Sequence, residues 1–163
     1  MDRPLTPALS PPPGAIWAHG EFAGGRYAGP IADARIGPMG RLGRFRLKEW
    51  HYTALTTERW FVAFAVVQLG YLANAFCYVV DRRNPSRRRE WSALSPLGRA
   101  LSFAESSTRG TTTWRAGRNR IVLTGADDGG RVEIDVGLGA ERLVGDFRLA
   151  PAPSLSVVFP LAP

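Results

Sequence analysis

The chain has a single cysteine, two histidines and a single lysine among its 163 residues, and each scarcity closes off a kind of chemistry. One thiol builds neither a disulfide framework nor a thiolate metal site. Cys77 lies in an apolar run and reads as a small buried hydrophobe. His19 and His51 are far apart and fall in no HExxH pattern, so no metal and no cofactor is expected. GxSxG and P-loop motifs are also missing. Gly37, Gly40 and Gly43 have the wrong spacing for a dinucleotide fingerprint, and Gly137 with Gly139 lacks a third glycine. There is no amphipathic helix of ordinary length and no internal repeat. No apolar core of a secretory signal is visible near the start, which makes the cytoplasm the default compartment.

What is present suits a folded domain. The chain is 45% hydrophobic, with five Trp, four Tyr and eight Phe. The formal net charge is +7, and Lys48 is the only lysine among 21 basic residues. GC-rich coding explains such an excess of Arg beside abundant Ala, Gly and Pro. The same charge would suit an anionic partner such as a membrane surface. Nucleic acid is not expected, because the Arg-rich stretch offers no aromatic platform for bases.

Residues 1–14 read as a Pro-rich leader and residues 15–163 as one β domain. Residues 15–43 mix aromatics with glycines and read as irregular, with one short strand. From 44 to 55 the residues alternate. Phe45, Leu47, Glu49 and His51 point one way, and Lys48, Trp50 and Tyr52 the other. Trp60 to Val80 carries no charge over 21 residues, long enough for a transmembrane helix. Its Val and aromatic content favours strands, and Gly70 with Asn74 supplies break points. Two buried strands, 60–69 and 71–80, are the preferred reading, and a membrane span is not expected. Residues 82–89 read as an Arg-rich loop.

The second half is plainer. Ala116–Asn119 and Asp127–Gly130 are turn signals between alternating segments. Val132, Ile134 and Val136 alternate with Arg131, Glu133 and Asp135, the pattern of a half-buried strand. Leu143–Leu149 and Leu155–Phe159 repeat it. Short strands at this spacing predict an all-β antiparallel meander.

The segment Phe45–Asp81 resembles an uncharacterised bacterial family, domain of unknown function 2804. Three pieces carry the resemblance: Lys48 and Trp50 before Tyr52; an apolar strand ending in Gly70–Tyr71; and a second ending in Asp81. Val158–Phe159–Pro160–Leu161 resembles a later landmark of the family. The resemblance implies that the chain corresponds to the N-terminal half of a longer, truncated or split architecture. That family is similar to lipocalin-like proteins, including carotenoid hydratases. It therefore implies a lipocalin-like half-barrel and a lipophilic small-molecule partner. A half-architecture would leave open strand edges, so a homodimer or a split partner chain is expected.

Candidate residues follow from type and place. Lys48, Trp50 and Tyr52 would line an apolar pocket with one cation for a carboxylate. Tyr71 and Asp81 would join them, Asp81 as a proton carrier if burial raised its pKa. Each has a plainer reading, as core stripe or strand-end ion pair. Glu49 and His51 on the opposite face suit an acid–base couple, but nothing supplies a third group. Arg82, Arg83, Arg87, Arg88 and Arg89 would hold an anion; the plainer reading is a solvated loop. Three functions stay open: binding a lipophile, acting on one as a hydratase or isomerase, or meeting an anionic or membrane surface.

Overall fold

Apolar residues recur at every second position through most of the chain, and this period suits strands with one buried face. The computed structural model describes residues 9–106 and 108–159. Nine consecutive strands form two antiparallel sheets, each in simple sequence order. The first sheet holds β4 (Glu49–Thr56), β5 (Trp60–Gln68), β6 (Leu72–Asp81) and β7 (Asn84–Pro96). The second holds β8 (Leu101–Ser102), β9 (Gly110–Ala116), β10 (Asn119–Ala126), β11 (Gly129–Leu138) and β12 (Glu141–Leu149). The expected all-β antiparallel meander is therefore what the chain forms. It does not close into a barrel: β4 and β12 are open edges.

The apolar run from Trp60 to Val80 is two paired strands. Phe64 lies opposite Cys77, and Val66 opposite Ala75. No helix among the described residues is long and apolar enough to cross a membrane. The inner faces of the two sheets share one core. Val62, Phe64, Val66, Ala73, Ala75 and Cys77 from the first sheet join Trp114, Ile121, Leu123, Val132, Ile134 and Val136 from the second. Burial pushes the Cys77 thiol up to about 12. The Trp114 ring is fully buried and meets Trp91 edge-on at 6.5 Å.

Several sequence expectations need correction. The strand expected from residue 44 starts at Glu49, because Arg41–Arg46 forms a six-residue helix, α1. Leu47 ends it in extended conformation, and the Phe45 backbone lies against Gly70. A Cβ on Gly70, whose φ is +85°, would clash with that backbone. Arg82–Arg89 is not a loop. Only Arg82 and Arg83 turn, and Arg87, Arg88 and Arg89 belong to β7. Arg88 and Arg89 pair with Val80 and Val79 across the ladder. β7 is a sheet edge, where Pro and charge are tolerated and ward off further pairing.

Residues 15–43 hold three short strands rather than one: β1 (Trp17–Ala18), β2 (Glu21–Phe22) and β3 (Gly25–Ala28). The last strand, β13 (Leu155–Val158), leaves the main sheets and pairs with β3. Ile16, Ile31 and Val158 bury a small second core there. Within the segment read as a leader, residues 1–8 lie outside the described residues, while Ser10 bridges Tyr27. Pro160 and Leu161 of the family landmark also lie outside them.

Candidate functional site

A cleft of about 470 Å³ opens where the two sheets part at the β10–β11 turn. Its walls come from Leu123–Asp127 and Gly129–Val132, from Leu149–Ala152, and from Pro30 and Ala32. His51 on β4 completes it from the first sheet, with Thr108 beside the β9 end. Glycines at the strand ends let the backbones approach. A Cβ on Gly129, at φ +131°, would stand 2.1 Å from the Leu149 carbonyl oxygen. Ser106 donates to the Ala32 carbonyl at 2.7 Å and ties the 30–32 segment to the second sheet.

The lining is chiefly apolar and backbone, with a few polar side chains, the usual make-up of a small-molecule site. Arg109 holds Asp127 by two bonds of 2.6 and 2.5 Å, so that carboxyl sits below its usual range. Arg131 is similarly occupied by Asp146, at 2.9 and 2.5 Å. His51 is the uncommitted titratable group. Burial lowers its pKa below 6.5, so the ring is neutral at pH 7. It can then donate from one nitrogen and accept at the other. Glu49, two residues earlier on the same face, is half-buried, and burial raises its pKa. Among the described residues no three His, Cys, Asp or Glu side chains are grouped to hold a metal.

The residues singled out from sequence fall into separate places. The alternation along β4 is as read, but the register sets which face is inside. His51 lies opposite Val66, a core residue, so Glu49 and His51 face inward. Trp50 and Tyr52 face outward, and Trp50 is 69% exposed. Tyr52 is joined by a side-chain hydrogen bond to Tyr78, which raises its pKa. Lys48 donates to the Leu69 carbonyl and lies over the Tyr71 ring, 4.7 Å from its centre. Asp81 closes the far end of β6, about 30 Å from Tyr71 at the rise of a ten-residue strand. Burial pushes its carboxyl up, but the Arg83 backbone N–H and the Arg59 guanidinium outweigh that and leave it lowered. It accepts from the Arg83 N–H at 3.0 Å and pairs with Arg59 at 3.2 Å, and so braces the turn.

The five arginines are also dispersed. Arg82 donates to the Thr57 carbonyl at 2.6 Å. Arg88 pairs with Glu90 at 2.6 Å and lies over Tyr78, and Arg89 pairs with Glu141 at 2.5 Å. Arg83 and Arg87 have no carboxylate within salt-bridge distance among the described residues.

Sequence reading reached His51 but not the rest of the cleft, because the other walls are strand ends and turns. The available signal was the set of glycines at 125, 129 and 130, which mark close backbone approach. No curated protein and no solved structure matches the chain. A family model does match, over residues 17–163, so the resemblance seen at Phe45–Asp81 extends through nearly all of the sequence. The chain belongs to the family described as a domain of unknown function (DUF2804).

Proposed function

We propose that this domain binds a lipophilic small molecule in the cleft between its sheets, with His51 as the polar contact. One observation carries the reading: a half-buried, neutral imidazole lines a mainly apolar cleft of about 470 Å³. That volume is in the range of small-molecule sites. The apolar body of a ligand would lie along Leu123, Val132 and Leu149, and its hydroxyl or carbonyl would meet His51.

Native mass spectrometry of protein purified from its own host tests this. A lipophilic mass is expected to travel with the chain. His51→Leu keeps the wall apolar and removes the polar contact, so affinity for that molecule should fall about tenfold. A bare chain that also fails to take up an apolar fluorescent probe would overturn the reading.

A second reading rests on Glu49. It shares the inward face of β4 with His51, and burial raises the Glu49 pKa and lowers that of His51, favouring the uncharged form of each. Such a pair suits proton transfer during hydration or isomerisation of the bound molecule. Turnover of the co-purified molecule that is lost in both Glu49→Gln and His51→Gln would favour it. The anion-binding reading has less support, because Arg82, Arg88 and Arg89 already serve protein partners.

A further inference from the structure

Three chain segments meet at one corner of the first sheet. The α1 backbone at Phe45 lies against Gly70, and the Gln68 amide lies against Gly98. The Leu97 N–H donates to the Tyr71 carbonyl at 3.0 Å. Leu97 itself has φ +57°, a left-handed conformation unusual for leucine. Despite that cost its side chain is 65% exposed.

Its neighbours share this exposure. Leu42 on α1 is 84% exposed, and Phe45 stacks on Tyr71 with ring centres 5.9 Å apart. Trp50 and Leu94 end one outward row of the sheet, Trp50–Val67–Asn74–Leu94, and both project from it. Six large apolar side chains are therefore exposed around this end of the sheet, outside either core.

The charge there is of one sign. Arg46, Lys48 and Arg99 are exposed, and none has a carboxylate partner among the described residues. Lys48 lies on the Tyr71 ring and bonds the Leu69 carbonyl. Glu49, the nearest carboxylate in sequence, faces inward. On the second sheet Arg109–Asp127, Arg131–Asp146 and Arg142–Asp135 match arginines to acids; at this corner large apolar groups lie beside the unmatched cations.

We propose that this corner docks on a lipid surface rich in anionic headgroups. Leu97 and Tyr71 enter the boundary between headgroups and acyl chains, and Arg46, Lys48 and Arg99 meet the negative charge. Aromatic and aliphatic tips beside cations that no carboxylate neutralises are what such an interface selects. A second copy meeting the same corner would bring like charges together, which disfavours a symmetric dimer there.

Vesicle flotation with the full chain tests the proposal. The probes are phosphatidylcholine vesicles and vesicles with about one-third phosphatidylserine. The chain is expected to float with the anionic vesicles, less so as salt rises, and to stay behind with the neutral ones. Lys48→Gln and Arg99→Gln should each weaken binding about fivefold. Leu97→Asn should weaken it about tenfold while suiting the left-handed backbone. Unchanged thermal unfolding identifies these variants as folded. Arg142→Gln, on the other sheet and outside the cleft, should leave binding unaltered. Failure to bind anionic vesicles, equal binding to both kinds, or binding indifferent to Leu97→Asn and Lys48→Gln would each overturn the proposal. So would a concentration-dependent dimer that is abolished by Leu97→Asn and never floats.

Discussion

The two sheets share a core but turn unlike faces outward. Across the outer face of the second sheet runs a ladder of charges. Arg120 meets Glu133 at 2.7 Å, Arg131 meets Asp146 at 2.5 Å, and Arg142 meets Asp135 at 2.5 Å. The corresponding face of the first sheet carries Trp50, Tyr52 and Leu94 exposed, with Phe61, Phe76 and Tyr78 half-buried among them. Pairing within the second face leaves little unmet, so water is a sufficient neighbour. The first face leaves large apolar groups wet, and patches of that kind mark contact surfaces. The difference is one of purpose rather than stability, since both faces lie outside the shared core.

Substitutions can sharpen or break that contrast. The largest effect should come from neither face. Phe64→Ala empties a fully buried site between the sheets and should cost about 3–5 kcal/mol by denaturant unfolding. A loss near zero would mean that the sheets do not depend on each other. Gly70→Ala places a methyl against the Phe45 carbonyl at a positive φ, and about 1–3 kcal/mol is expected. The same change should loosen α1 from the corner, seen as faster proteolysis near Phe45.

The inward face of β4 should show itself through pH. His51 has a lowered folded-state pKa, so the unfolded chain takes up its proton first. Stability from this group is complete above its ordinary 6.5 and declines as pH falls through that value. Glu49 works the other way. Its raised pKa makes its ionisation unfavourable in the fold, a cost relieved as pH falls through that raised value toward 4.5. His51→Gln should therefore flatten the fall in melting temperature just below neutral pH. An unchanged slope would mean that the ring is not buried in solution.

The smallest effects belong to the outer faces. Arg131→Gln should cost less than about 1 kcal/mol, and high salt should erase the loss. Trp50→Thr should stay within about 0.5 kcal/mol, because the ring is mostly in water and Thr suits a strand. A core-sized loss at Trp50 would abolish the distinction between the faces.

Much of the fold was legible because its cause is local. Continuous Val and aromatic residues between Trp60 and Val80 suit two strands buried at the centre of a sheet. Asp127–Gly130 announces its own turn. Helix α1 was not legible, since Arg41–Arg46 has neither an apolar stripe nor an acidic first turn. The start of β7 was hidden by charge: Arg87 to Arg89 look like a loop until Val79 and Val80 are seen to pair with them. At the site, the alternation from Lys48 to Tyr52 was visible, but its inside was not. That depends on Val66 lying opposite His51, and on a second sheet more than fifty residues away in sequence.

The order of the strands also has a consequence in time. Every strand from β5 to β7, and from β9 to β12, pairs with the one made just before it. A growing chain can therefore extend each sheet as it emerges, with short loops to close. The β3–β13 pair is different. Ser156 donates to the Gly29 carbonyl across 127 residues, so this clasp must wait until both main sheets have been made. In refolding followed by pulsed hydrogen exchange, the amides of Gly25–Ala28 and Leu155–Val158 should be the last to gain protection. If they were protected first, the clasp would be the template on which the meander assembles, and the domain would fold only once the segment Leu155–Val158 had been made.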